Sequence, residues 1–147
     1  MREIATSVDI EAVPERVWSA LTSLDYYPDW NPFIRQASGR LEVGETLALR
    51  MFPAQGKPMT FRPTVLVVEP QRELRWIGRL VLPGVFDGEH RFTLSPIEGG
   101  ATRVVQAERF SGALVPFARG VVERTVSDFR RLNEALKTYV EAETPWR

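Results

Sequence analysis

Residues 73–111 read ELRWIGRLVLPGVFDGEHRFTLSPIEGGATRVVQAERFS, which is three β-strand patterns separated by two short turns. The strands are expected at about Glu73 to Leu82, Val85 to Ser95 and Ala101 to Ser111, with turns at Pro83-Gly84 and Glu98-Gly99-Gly100. Turn position and side-chain parity together fix the register. Around the first turn Leu80 falls opposite Phe86, Gly78 opposite Gly88, Trp76 opposite His90 and Leu74 opposite Phe92. Around the second, Leu94 falls opposite Val104, Phe92 opposite Gln106, His90 opposite Glu108 and Gly88 opposite Phe110. Even-numbered residues therefore share one face. On the odd face Arg79 meets Asp87 and Glu89 meets Arg109, which favours leaving that face wet, although Arg75 opposite Arg91 counts against it. The even face then points inward and carries the row Trp76, His90, Glu108.

An inward sheet face needs something to pack on. Proline and glycine recur throughout the middle of the chain, but neither occurs between Val121 and Thr144. Within that stretch Val122, Val126, Phe129, Leu132, Leu136 and Val140 recur at three- and four-residue steps. Glu123, Arg124, Asp128, Arg130, Arg131, Glu134, Lys137 and Glu141 read as the solvated side. This is one long amphipathic helix, whose start is obscured by Pro116 and Gly120.

At the other end of the chain, Ile4, Thr6, Val8 and Ile10 alternate with charged and polar residues as a half-buried strand does. Pro14 suits a first helical turn, and Val17, Trp18, Leu21 and Leu24 give the short helix its apolar stripe before the segment 25–32 stops it. Three further strands are expected, at about Phe33 to Leu41, Thr46 to Phe52 and Met59 to Glu69. Strand, helix pair, six strands and long helix make an α+β fold, in which one antiparallel sheet of seven strands curls around the closing helix. At 147 residues, without a linker or repeat, positions 1–147 read as a single domain.

Composition removes several function classes. Lysine plus arginine number 19 and aspartate plus glutamate 19, so no net charge draws the chain to a phosphate backbone, and nucleic acid is not expected as a partner. There is no cysteine, which excludes disulfides, thiolate zinc sites, iron–sulfur clusters and cysteine nucleophiles. A single histidine, His90, excludes the two-histidine zinc motifs. No metal and no cofactor are expected. The first residues lack a signal peptide's apolar stretch, and the longest aliphatic run, Val65 to Val68, is far too short to span a bilayer. The expectation is a cytoplasmic protein without membrane insertion.

Two features suggest space between sheet and helix. Gly78 and Gly88 are neighbours on the inward face, where a filled core would carry large side chains. His90 and Glu108 also face inward, where polar groups need partners or a ligand. A carboxylate beside an imidazole orients the ring and equips it for proton transfer, and the same pair also serves simply as a hydrogen-bonded lining. Trp30, Trp76, Phe86, Phe92, Phe110 and Phe129 are candidates for an aromatic wall, though aromatics at strand and helix spacing also build cores. Trp30, held between Pro28 and Pro32 in a non-periodic segment, is read as the tryptophan least demanded by packing. The apolar, glycine-containing segment Ser111 to Phe117 is read either as a gate over a pocket mouth or as an ordinary docking loop. Trp146 is read as tail or as a contact in a possible homodimer.

The chain resembles the polyketide cyclase/dehydrase-like branch of the START and birch-pollen-allergen superfamily, often called SRPBCC proteins. The resemblance rests on Ile10 through Trp18, on Tyr27-Pro28-Asp29-Trp30-Asn31-Pro32-Phe33, and on Leu74-Arg75-Trp76. It continues through Gly88-Glu89-His90-Arg91-Phe92, Glu108-Arg109-Phe110-Ser111-Gly112 and the closing helix, and so covers essentially the whole chain. It implies a helix-grip fold with two short helices closing one end, and a cavity for an apolar or aromatic small molecule such as a lipid or polyketide. Three functions are compatible with it. The first is a binding protein whose ligand contacts Trp30, Trp76, Gly78, Phe86, Gly88, His90, Phe92, Glu108, Phe110 and Phe129. The second is a metal-free cyclase or dehydratase using His90 and Glu108 as an acid–base pair. The third is an interaction protein of the chaperone-activator kind.

Overall fold

The computed structural model describes residues 1–80 and 84–142. Its regular elements are β1 (Arg2–Ile10), α1 (Pro14–Thr22), α2 (Tyr27–Trp30), β2 (Ile34–Ser38), β3 (Ala48–Met51), β4 (Met59–Phe61), β5 (Thr64–Glu69), β6 (Glu73–Leu80), β7 (Phe86–Ile97), β8 (Ala101–Ser111) and α3 (Arg119–Ala142). A five-stranded antiparallel sheet runs β1-β8-β7-β6-β5, and a three-stranded sheet runs β2-β3-β4. Pro83, expected in the first hairpin turn, and Trp146 lie outside the described residues.

The register read from parity is the register of the fold. Trp76 pairs with His90, Gly78 with Gly88 and Leu74 with Phe92, while His90 pairs with Glu108 and Gly88 with Phe110. Even-numbered residues of β7 from Phe86 to Leu94 are buried and odd-numbered ones half-buried. The awkward Arg75–Arg91 pair is resolved by separate carboxylates. Arg75 Nε donates to Glu73 at 2.6 Å, and Arg91 Nη2 donates to Glu3 on β1 at 2.6 Å.

Eight strands stand where seven were expected, because the run from Met59 to Glu69 divides at Pro63. Proline has no N–H to give a ladder. Before it, β4 pairs with β3; after it, β5 pairs with β6. The Pro63 carbonyl accepts from Leu47 N–H at 2.9 Å, and an isolated bridge joins Thr46 to Thr64, so the two sheets meet at this switch.

The short helices are fixed locally. Tyr27 is buried and its hydroxyl donates to the Leu21 carbonyl at 2.6 Å, tying α2 back to α1. Asn31 Oδ1 accepts from Phe33 N–H at 3.0 Å and Ile34 N–H at 2.8 Å, a side-chain turn that ends α2 and launches β2.

Helix α3 lays Val122, Phe129, Leu132, Leu136 and Val140 on the sheets, with Val126 half-buried. Two polar residues share this face. Asn133 Nδ2 donates to Thr6 Oγ1 at 2.8 Å, and Gln106 Nε2 donates to Asn133 Oδ1 at 2.7 Å and to the Phe129 carbonyl at 3.1 Å. These bonds clamp one turn of α3 across β1 and β8. Asp128, expected on the solvated side, is instead 4% exposed. Its Oδ1 accepts from Ala54 N–H at 3.0 Å and from Arg131 Nη2 at 2.8 Å, so a loop folded over the helix buries it. No helix among the described residues is long and apolar enough to cross a membrane.

Candidate functional site

The apolar interior is divided. One cluster contains Trp76, Phe92, Phe33, Phe129 and Leu132; the other contains Phe86, Phe110, Val115 and Val122. Between them lies a cavity of about 280 Å³, with walls from both clusters. That is near the lower end of the roughly 300–1,000 Å³ typical of small-molecule sites. Phe33, Trp76, Phe86, Phe110 and Phe129 form its buried aromatic lining. The exposed residues Gln55, Gly56, Lys57 and Met59, with Val121 and Arg124 of α3, form its mouth.

His90 is 3% exposed and lines this cavity. Its ring stacks on Trp76, with centroids 5.2 Å apart and planes 17° apart, and meets Phe92 and Phe129 at 4.8 Å each. Three aromatic neighbours pack against the imidazole. Nδ1 lies 2.9 Å from Glu108 Oε1, and Nε2 is buried without a hydrogen-bond partner among the described residues. The carboxylate accepts only, so in the neutral ring Nδ1 carries the proton and Nε2 is left as an acceptor.

The two glycines have a role different from the one their spacing suggests. Neither leaves an empty hollow. A Cβ at Gly78 would lie 1.6 Å from Phe61 Cζ, because the Phe61 ring from β4 covers that position. A Cβ at Gly88 would lie 2.5 Å from Glu108 Oε2. Gly78 thus admits the ring that walls the cavity on the side of the smaller sheet, and Gly88 admits the carboxylate that holds His90.

Of the residues expected at the site, Trp76, Gly78, Phe86, Gly88, His90, Glu108, Phe110 and Phe129 line the cavity. Phe92 stands behind it, in contact with Trp76 at 5.9 Å and with His90. Trp30 is not there. It is 9% exposed and packs edge-on to Tyr27 at 5.2 Å and stacked on Tyr139 of α3 at 5.9 Å, so it belongs to the core after all. Segment 111–117 does not line the cavity either. Ala113 and Leu114 donate backbone hydrogen bonds to the Gly84 and Val85 carbonyls at 3.1 and 2.9 Å, which makes it a docked loop.

Sequence reading missed three cavity residues with chemistry: Lys57, Arg124 and Asp128. Lys57 sits in a non-periodic loop, and the other two lie on helix positions that periodicity assigns to solvent. Among the described residues no three His, Cys, Asp or Glu side chains converge as a metal site.

Comparison with solved structures places this geometry among known folds. A START superfamily protein from Mycobacterium smegmatis is similar at a TM-score of 0.77 and 22% identity, over 97% of this chain and 99% of its own. The Zhui aromatase/cyclase from Streptomyces sp. R1128 is similar at a TM-score of 0.77 and 15% identity, over 95% of this chain and 93% of its own. Among curated proteins no relative matches. Two antiparallel sheets, where the sequence led to the expectation of one, packed with a long carboxy-terminal helix are therefore the START fold. With a family match extending over residues 1–141, the chain belongs to the family described as polyketide cyclase / dehydrase and lipid transport.

Proposed function

We propose that this protein binds an apolar or aromatic small molecule, lipid or polyketide-like, in the cavity between sheet and α3. One observation carries the reading: an imidazole set among aromatic rings of the cavity wall has Nδ1 engaged by Glu108 and Nε2 buried without a partner among the described residues. A buried polar atom left unpaired costs about 1–3 kcal/mol, and a ligand hydroxyl donating to Nε2 would recover part of it. The aromatic lining supplies non-directional affinity, and His90 orients the ligand through one hydroxyl group. Native mass spectrometry of protein purified from cells is expected to show a retained small molecule, and a panel of lipids and aromatics is expected to raise the melting temperature. No retained molecule and no thermal shift from any member of the panel would remove the reading.

A second reading follows from the same pair. Glu108 fixes the ring and would stabilise the imidazolium formed when Nε2 takes a proton, the arrangement of a general base for aldol closure or dehydration. It requires that His90→Gln abolish turnover of a polyketide-like substrate while the variant still binds it. Unchanged turnover in that variant excludes catalysis by His90.

A further inference from the structure

Four side chains of the cavity wall carry full charges: Lys57, Glu108, Arg124 and Asp128. The two acids are occupied. Glu108 holds His90 at 2.9 Å, and Asp128 accepts from Arg131 at 2.8 Å and from Ala54 N–H at 3.0 Å. Neither cation has an ion-pair partner among the described residues. Arg124 and Asp128 are one helical turn apart on α3, a spacing at which arginine and aspartate commonly pair, yet Asp128 is bound to Arg131 instead. Lys57 approaches from the loop before β4, where no acid lies among the other mouth residues.

The wall is thus polarised. Its deep end presents aromatic rings and the Glu108–His90 pair, whose carboxylate disfavours an anion there, and its mouth presents Lys57 and Arg124, which have no ion-pair partner among the described residues. We propose that the ligand is an anionic amphiphile: a compact apolar or ring body that fills the aromatic end, with a terminal carboxylate held at the mouth by Arg124 and Lys57. A carboxylate suits this pair because the planar guanidinium can grip it with two parallel hydrogen bonds while the ammonium adds a point charge. The proposal rests on the cavity being a ligand site and specifies what enters it and which way round.

The test compares 2-naphthoic acid with its neutral isostere 2-naphthamide and with 2-naphthyl phosphate, by isothermal titration calorimetry at low salt. The acid is expected to bind about tenfold more tightly than the amide, an effect of the size of a hydrogen bond to a charged group. In Lys57→Gln and Arg124→Gln the acid should weaken severalfold and the amide, which carries no charge, clearly less, with urea denaturation showing that each variant folds. Added salt should narrow the gap between acid and amide. Equal affinity for acid and amide in the parent protein overturns the anionic assignment and leaves the cavity reading standing. Binding of the phosphate alone, with the acid no better than the amide, overturns the carboxylate in favour of a phosphate ester. Failure of all three probes to bind overturns the proposal together with the cavity reading on which it rests.

Discussion

Glu108 occupies the volume that a side chain at Gly88 would take: Oε2 lies 2.5 Å from where a Cβ on Gly88 would stand. The two residues are on adjacent strands, with Gly88 two pairs along from the His90–Glu108 pair in the β7–β8 ladder and so on the same face. Glycine at this position is therefore part of how the carboxylate reaches Nδ1 of His90.

Gly88→Ala is accordingly expected to push the Glu108 carboxylate aside and strip His90 of its acceptor. Leaving Nδ1–H unpaired should destabilise the fold by about 1–3 kcal/mol. Glu108→Gln keeps an acceptor oxygen of the same reach and should be milder. Urea denaturation of the two variants checks the order. Wild-type stability in Gly88→Ala would mean that Glu108 is not held where the structure puts it.

The Phe61–Gly78 contact leads to a coupling experiment. A Cβ at Gly78 would overlap the Phe61 ring at 1.6 Å, so Gly78→Ala must expel the ring or move β4, and overpacking of this kind costs about 1–3 kcal/mol. Removing the ring first removes the conflict. In a double-mutant cycle, Gly78→Ala should therefore be far less damaging in the Phe61→Ala background than in the parent. Additive effects would show that the two positions are independent.

Much of this site follows from strand parity alone. The row Trp76, His90, Glu108 is legible because alternation has a period of two and the hairpin turns leave few registers open. What escaped that reading depends on contacts between distant segments. Asp128 looks solvated on a helical wheel but is buried beneath a loop whose Ala54, 74 positions away, donates to it. Trp30 looks unclaimed between two prolines and is claimed by Tyr139 at the far end of the chain. The glycine pair signals missing volume, but which side chain fills it depends on β4 joining the other sheet. Pro63 does carry that information, since a proline inside a strand pattern argues for a break.

Acid should loosen the fold through the ties of β1 and the end of α3. The hydrogen bond from Arg91 holds the Glu3 carboxyl below its usual range, and that from Arg103 does the same for Asp9. For Glu141 the first cause is the backbone N–H of Glu11, followed by Lys137. A carboxylate whose pKa is lower folded than unfolded stabilises the fold above its unfolded value and ceases to do so as pH falls through the folded one. The loss is therefore expected below about pH 4, where ordinary carboxylates begin to protonate. These groups are solvent-accessible, so the effect should be modest and should shrink in about 1 M salt. Thermal melts across this range check it, and Glu141→Gln should lose less on acidification than the parent protein. A parent protein whose melting temperature does not fall in acid at low salt would contradict all three shifts.

The clamp at Asn133 locates α3 along its own axis, because an apolar stripe alone tolerates sliding whereas a set of buried hydrogen bonds does not. Asn133 and Gln106 are 2% and 0% exposed, and Thr6 is 7% exposed. In Asn133→Ala, Thr6 Oγ1 loses the amide donor, while Gln106 Nε2 keeps only the Phe129 carbonyl. The expected loss is about 1–3 kcal/mol for the two hydrogen bonds removed, plus the smaller effect of truncation. Because Phe129 is at once a cavity wall and the acceptor for Gln106, the same variant should weaken ligand binding, though none of the three polar side chains lines the cavity. Asn133→Asp separates the two effects: it keeps the acceptor for Gln106 and removes the donor to Thr6. If Asn133→Ala unfolds at the same urea concentration as the parent and binds 2-naphthoic acid equally well, the helix is positioned by its apolar stripe alone.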